Sequence, residues 1–301
     1  MTEKTVQTGE RLAVSYDITN RGQSDGEQTV ELTLDGEVAD SDALVLDTGE
    51  KDRMSLVTDA FTDEDDGQLY EVEIVTDDRV AQVMTIEVID IPDSGDLHIR
   101  HDPSEDITTS DGTVTELGDL SGNGHDVTGT VSGGITTINE LDAVNFDGSD
   151  DVLDGDVTDE NAPYHIFAVI RFDSLVDSGS QFAMHGSLPD NNSHQMLRDT
   201  DSDFAMRADS DLNSTTYDTA IHILEMLFQP DGTTSTFVID GTEEASGDIG
   251  DITLDRIEYA ARDGSSNGDI TLGEVLVYND DKSSTESEIR SYLNDKWGVF
   301  D

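Results

Sequence analysis

The sequence predicts an all-β protein, two β-sandwich bodies in series closed by one short C-terminal helix. Three observations carry this reading. Apolar residues recur at every second position through most of the 301 residues, the period of a half-buried strand. Asp-Gly pairs at 35–36, 147–148, 154–155, 231–232 and 240–241 punctuate these runs, and such pairs accept the positive φ angles of tight turns. Helical spacing is confined to the last twenty or so residues, about one short helix's length.

Taken in order, Leu12, Val14, Tyr16 and Ile18 share one face of a strand, and Asn20-Arg21-Gly22 turns the chain. Val30, Leu32 and Leu34 form the next strand, closed by Asp35-Gly36. Leu44 and Leu46 follow, then residues 54–57, 69–74 and 80–89. About seven short strands with regular turn signals predict an immunoglobulin-like sandwich over 1–90. Ile91-Pro92-Asp93-Ser94-Gly95 interrupts the pattern and reads as a linker, 91–95. From 96 to 301 strands are expected over 143–146, 165–172, 221–228, 236–239 and 272–278, with turns at Asp147-Gly148, Asp154-Gly155, Asp231-Gly232 and Asp240-Gly241. Ser283 with Glu286, or Thr285 with Glu288, spells a capping box. Ile289, Tyr292, Leu293 and Trp297 then share one helical face, and Gly298 is placed to end the helix. Trp297 is read as a structural anchor, and Tyr164, Phe182, Tyr278 and His165 as core residues.

Composition removes several classes of function. Fifteen lysines and arginines face 69 aspartates and glutamates, a net charge of −54. Such a surface repels phosphate backbones and anionic membranes, so neither nucleic acid nor membrane is an expected partner. The absence of cysteine excludes disulfides, thiolate metal sites and a cysteine nucleophile. No apolar run reaches the 18 or so residues of a spanning helix. Met1-Thr2-Glu3-Lys4 leads directly into polar sequence, so a signal peptide is not expected. The charge is even, about −18 over residues 1–90 and about −36 over 91–301, and aspartate outnumbers glutamate 48 to 21 with only four lysines. At molar salt the screening length falls to about 3 Å and self-repulsion fades. The composition is therefore read as adaptation to high K⁺ or Na⁺ in a halophilic archaeal setting.

Two resemblances sharpen the reading. Ile18-Thr19-Asn20-Arg21-Gly22, Gly26 and Val30-Glu31-Leu32-Thr33-Leu34-Asp35-Gly36 resemble the cell-adhesion-related domains of bacterial and archaeal surface proteins. In the second body, Asp119-Leu120-Ser121-Gly122-Asn123-Gly124-His125-Asp126, then residues 143–151, Phe237-Val238-Ile239-Asp240-Gly241-Thr242, residues 268–279 and Asp295-Lys296-Trp297-Gly298 follow one another in a telling order. Together they resemble the concanavalin A-like lectin/glucanase superfamily in its laminin G-like or pentraxin-like branch. The resemblance implies a jelly roll of two antiparallel sheets, and a structural Ca²⁺ held by Asp119, Asn123 and Glu274.

The glucanases of that superfamily carry Glu-x-Asp-x-x-Glu on one strand, and residues 96–301 contain no such string. Glu71-Val72-Glu73 lies in the first body and lacks the third acid. No catalytic residue is assigned, and the chain is expected not to be an enzyme. For sugar binding the residues of choice are Tyr217 as an aromatic platform and Asn213 beside Thr215-Thr216. The architecture and charge together resemble virion surface appendages of haloarchaeal tailed viruses. The expected function is a homo-oligomeric capsid decoration, turret or tail fibre, assembled in the host cytoplasm, contacting other virion proteins and host surface glycans. The alternative is a secreted or cell-surface carbohydrate-binding or adhesion protein of a haloarchaeon, with a glycoside hydrolase third.

Dialysis from molar salt into about 0.1 M salt, where the screening length grows to about 10 Å, should lower the melting temperature and erode the circular dichroism. An unchanged melt removes the halophilic reading.

Overall fold

In the computed structural model, residues 3–7, 11–20, 26–62, 65, 68–76, 79–175, 181–186, 195–199, 202–251, 253–262 and 267–300 are described. Alternation in the sequence becomes strand pairing in both of two compact units, Met1–Ile91 and Pro92–Asp301.

The first unit contains β1 (Glu3–Gln7), β2 (Ala13–Thr19), β3 (Gly26–Leu34), β4 (Glu37–Leu46), β5 (Lys51–Val57), β6 (Leu69–Thr76) and β7 (Arg79–Ile89). One sheet runs β1-β7-β6-β3-β4, and β2 pairs with β5 in a second. Val30, Leu32, Val72, Ile74, Ile86 and Val88 of the larger sheet share a core with Val14 and Leu56 of the smaller, so the unit is a β-sandwich. Asp35 and Gly36 have φ of 49° and 83°, the paired positive values of a type I′ hairpin turn. Strand β1, which lies parallel to β7, has no counterpart in the sequence reading. Arg21 and Gly22 of the expected first turn lie outside the described residues.

The second unit contains β8 (Leu97–His101), β9 (Ile107–Ser110), β10 (Thr113–Leu117), β11 (Val127–Val131), β12 (Ile135–Ile138), β13 (Leu141–Asp147), β14 (Val152–Glu160), β15 (Tyr164–Phe172) and β16 (Gln181–His185). It continues with β17 (Gln195–Asp199), β18 (Phe204–Arg207), β19 (Asp211–Asn213), β20 (Ile221–Phe228), β21 (Ser235–Ile239), β22 (Thr242–Gly247), β23 (Leu254–Tyr259), β24 (Asp269–Tyr278) and the helix α1 (Glu286–Trp297). A nine-stranded sheet runs β19-β18-β17-β16-β23-β14-β11-β10-β9. An eight-stranded sheet runs β12-β13-β24-β15-β20-β21-β22, with β8 also paired to β24. One apolar core takes Val114, Val127, Leu153, Met184, Phe204 and Ile257 from the first sheet and Phe146, Ile166, Leu224, Phe237, Leu272 and Val277 from the second.

Helix α1 covers the other face of the eight-stranded sheet. On β15, Tyr164, Ile166, Ala168, Ile170 and Phe172 enter the inter-sheet core, whereas Phe167 and Val169 are buried outside it. Val169 and the Trp297 ring both crowd Gly273, where a Cβ would come within 3.3 Å of each. A bulge sits beside this glycine. Ala168 pairs with Val275 but Ile170 with Leu272, so β24 carries one extra residue there. The extra residue shifts the phase of the strand: Ile270, Leu272, Val275 and Val277 face the core, and Glu274 is turned toward the helix.

Ile289, Tyr292, Leu293 and Trp297 are buried, and Gly298 ends the helix with φ 60° and its N–H on the Asn294 carbonyl. The capping box does not form. Thr285 is the N-cap residue but makes no side-chain cap bond; its hydroxyl donates to Asp93 Oδ2 at 2.7 Å. Ser283 donates instead to Asp281. Residues 92–95 belong to the second unit, where the Tyr278 hydroxyl donates to the Pro92 carbonyl at 2.9 Å.

Asp240-Gly241 is a type I′ turn, with φ of 49° and 77°. Asp154-Gly155 is not a turn at all but lies inside β14. Glycine is needed there because a Cβ would fall on the carbonyl oxygen of Asp126, the close backbone approach that glycine permits within a strand. Gly155→Ala should therefore destabilise the protein by about 1–3 kcal/mol in denaturant titration. Gly95→Ala, with nothing within 4 Å of the added carbon, should leave the midpoint unchanged.

Candidate functional site

Glu274 and Asp119, expected to share a calcium ion, have other partners. Glu274 Oε1 accepts from Arg100 Nε at 2.9 Å and the Tyr292 hydroxyl at 2.8 Å, and Oε2 from Trp297 Nε1 at 3.1 Å. Lys296 Nζ lies 3.1 Å from Oε2. A carboxylate enclosed by two cations and two neutral donors has no vacant face for a third cation. Arg100 and Lys296 each also pair with Asp102 and Glu105. Burial opposes the charge on both, but Glu274 and its neighbouring acids hold both pKa values far above their usual range.

Asp119 accepts from the N–H groups of Arg100, Ser121 and His125 at 2.9–3.0 Å, and from the Ser121 hydroxyl. Burial would raise its pKa, and these donors bring it below the usual carboxylate range. Asn123 donates through Nδ2 to the carbonyls of Leu97 and His98 at 3.0 Å. Both residues stitch the 119–126 loop onto β8, and they do not join Glu274 in a shared cation site. The described carboxylates that do converge are Asp147, Asp150 and Asp151, whose ligand oxygens lie within 4.8 Å of one another. Asp151 in that group already accepts from the N–H groups of Ser132, Gly133 and Asp147. It orders the turn before β14.

The two residues expected at a sugar site lie four positions apart on the chain leaving β19, where Asn213 is the register partner of Ala205 and Tyr217 packs toward the inter-sheet core. Asn213 is exposed at the end of β19. The half-buried Tyr217 ring lies 5.4 Å from Phe204, at a tilt of 56°. Between them, Glu244 of β22 pins the loop: its Oε2 accepts from Thr215 N and Oγ1 at 2.6 Å and from Thr216 N at 3.2 Å, and its Oε1 from Thr216 Oγ1 at 2.7 Å. Burial would raise the Glu244 pKa, and those hydroxyl and backbone donors outweigh it and lower the value. On the far side His222 is held between Asp240 at 2.6 Å and Asp218 at 3.0 Å. Burial would lower its pKa, and the two carboxylates raise it. Glu244 and His222 were missed in the sequence because each reaches the loop from a separate strand, with Asp240 acting on it only through His222.

His101 is fully enclosed. Its Nε2 faces the His125 carbonyl at 2.8 Å and its Nδ1 the Tyr259 hydroxyl at 2.7 Å. A carbonyl only accepts, so Nε2 carries the proton and Tyr259 donates to Nδ1. His165 is buried against Phe167, ring centroids 4.4 Å apart. It is core, but its Nδ1 has no hydrogen-bond partner among the described residues.

No family model and no curated protein matches the chain. Solved structures do. Trypanosoma rangeli sialidase with 2,3-difluorosialic acid aligns with a TM-score of 0.51 at 13% identity, over 71% of this chain and 35% of that one. The same sialidase in complex with sialic acid aligns with a TM-score of 0.51 at 10% identity, over 95% and 45%. The binding domain of botulinum neurotoxin serotype D gives 0.51 at 12% identity, over 67% and 52%. The chain thus spans roughly a third to a half of these structures' own lengths, and the likeness is one of all-β fold. It corrects one expectation. Enzymes stand among the similar structures, so the missing Glu-x-Asp-x-x-Glu string excludes one chemistry only, and the expectation that the chain is not an enzyme falls.

Burial pushes the His101 pKa down to about 4 and that of His165 to about 3, from 6.5. Both are neutral when folded and take up protons when unfolded. Their full contribution to stability is present above about pH 6.5 and is lost as pH falls toward 4, at about 1.4 kcal/mol per pH unit for each. His222, with its raised pKa, works in the opposite sense as pH rises above 6.5. Urea midpoints at constant molar salt should therefore drop between pH 6.5 and 4.5; a flat profile there contradicts the neutral buried histidines.

Proposed function

We propose that the second unit is a glycan-binding module of concanavalin A-like type, with its sugar seat on the 213–218 loop. The observation that carries this is the Glu244 clamp. Four hydrogen bonds from Thr215 and Thr216 to Glu244 fix the loop before any ligand arrives, with the exposed Asn213 preceding it and the half-buried Tyr217 following it in the chain. Such preorganisation lowers the entropy lost on binding, and an aromatic face with planar polar neighbours suits a sugar ring. The similar structures include a sialidase described in complex with sialic acid and a neurotoxin binding domain, which supports a carbohydrate ligand in general.

The charge narrows the class. Arg100, Arg171, Arg207, Arg256 and Arg290 are each paired with a carboxylate of this chain, and Asp218 and Glu244 border the loop. An acidic sugar would meet repulsion from those acids, and these five arginine forks are already committed to carboxylates of the chain. The ligand is a neutral glycan. The wider setting we propose is a homo-oligomeric appendage on the surface of a haloarchaeal virus, built with other virion proteins and touching host glycans. The strongly acidic composition and the two serial β-sandwiches support it.

Glycan-array binding in molar salt tests the site. Tyr217→Leu keeps an apolar contact for Phe204 but removes the platform, and should weaken binding about tenfold; Asn213→Ala should weaken it too. Wild-type protein that binds no neutral glycan, or variants that bind as tightly as wild type, would overturn the assignment. Molar mass in the same buffer should show a symmetric oligomer, and a monomer would remove the appendage.

A further inference from the structure

The chain from Asn213 to Ala220 is tied down at two places, and the two ties differ in kind. At Thr215 and Thr216 the acceptor is Glu244, and the donors are hydroxyls and backbone N–H groups, which keep their protons at any ordinary pH. At Asp218 the donor is a histidine. His222 of β20 is 8% exposed, with Nδ1 2.6 Å from Asp240 Oδ2 and Nε2 3.0 Å from Asp218 Oδ1. A neutral imidazole has one N–H and one bare nitrogen, and an ionised carboxylate only accepts. Both contacts are therefore hydrogen bonds only when the ring is an imidazolium.

The two carboxylates are not equally free to leave. Asp240 sits at a positive-φ corner of the turn between β21 and β22. Its Oδ1 accepts from the Ile223 N–H at 2.8 Å, and its own N–H donates to the Ile223 carbonyl at 2.9 Å, so it is fixed to β20 apart from the ring. Asp218 belongs to the loop. Its side chain is 55% exposed, and its Oδ1 also accepts from the Ala220 N–H at 2.7 Å. On the neighbouring strand β15 the register partner of His222 is Ile170, which carries no charge, and Arg171 beside it is bound to Asp173. Arg290, close to Gly241 on the turn, is bound to Glu225. Burial opposes the charge on the ring, but Asp240 and Asp218 outweigh it and raise its pKa above 6.5.

We propose that His222 is a pH-sensitive latch on the loop that carries Tyr217, closed while the ring is charged and open once it loses a proton. The proton that leaves to solvent is the one on Nε2. Nδ1 keeps its proton because Asp240 is held in place, whereas a bare Nε2 faces the Asp218 carboxylate lone pair against lone pair. Asp218 then swings into solvent, and the chain between Tyr217 and β20 loses its tie while the Glu244 clamp stays. The loop is fully ordered only on the acidic side of the His222 titration. The latch is a property of the unliganded chain, so it stands or falls apart from sugar binding.

The test is NMR of the full chain without ligand in molar KCl, from about pH 5.5 to 9. The His222 ring should titrate above pH 6.5, and the amide shifts of Asp218, Thr219 and Ala220 should follow with the same midpoint. Exchange protection of the Ala220 amide, corrected for the intrinsic pH dependence of exchange, should fall about tenfold across that midpoint, while that of Thr215 and Thr216 holds. Asp218→Asn should abolish the fall, since an amide donates to a bare Nε2 as well as accepting from a protonated one. Asp240→Asn should lower the His222 midpoint by about one pH unit or more. Should a variant fail to fold, the ring nitrogen shifts of wild-type protein above the midpoint decide the matter, and the proton must remain on Nδ1. Protection that ignores the His222 titration, a fall that survives Asp218→Asn, an unmoved midpoint in Asp240→Asn, or a neutral ring protonated on Nε2 would each overturn the latch.

Discussion

The Glu274 carboxylate joins three elements that no continuous run of chain connects. It takes hydrogen bonds from Arg100 on β8 and from Tyr292 and Trp297 on α1, while itself belonging to β24. Its position depends on the bulge beside Gly273, since a regular strand would have aimed this side chain into the apolar core between the sheets. Removing one member of such a buried group leaves an uncompensated charge, which typically costs about 3–5 kcal/mol. The helix is therefore held by directional bonds as well as by the burial of Ile289 and Leu293.

The distribution of cations follows from the same constraint. Only four lysines exist, and Lys282 and Lys296 are 4% and 9% exposed, each bound to carboxylates. Five arginines of the second unit are paired as well. In the second unit these cations neutralise acids within or at the edge of the fold, whereas Arg11, Lys51 and Arg53 of the first unit are exposed, and with a net charge of −54 the solvent face is dominated by carboxylate. Mobile cations of the solvent are left to balance that face.

Alternation and turn chemistry made most strands legible. The run 221–228 is β20 residue for residue, and Asp35-Gly36 and Asp240-Gly241 form the turns their φ preferences demand. Failures came where local signals met distant partners. Asp154-Gly155 has turn composition, but the Asp126 backbone, some thirty residues earlier, requires the glycine in mid-strand. Thr285 has a capping side chain, but Asp93, nearly two hundred residues away, binds it. At the sites, Tyr217 and Asn213 could be picked by type, whereas the Glu244 clamp could not, being 28 and 29 positions from its threonines. Asp119 and Asn123 drew notice with the wrong role, because side-chain type does not reveal how many backbone donors already surround a carboxylate.

The separation of these partners along the chain has a kinetic consequence. Asp102 meets Lys296 across 194 positions, and Arg100 meets Glu274 across 174. Contacts of such range form late, after a large loop has closed. A nascent chain that has extruded β8 already holds Asp102 and Glu105 near Arg100, but Glu274 and Lys296 join them only after nearly all of the second unit has been made. During that wait Asp102 and Glu105 have Arg100 alone as their partner, and the last turn of the helix completes the group by bringing Lys296.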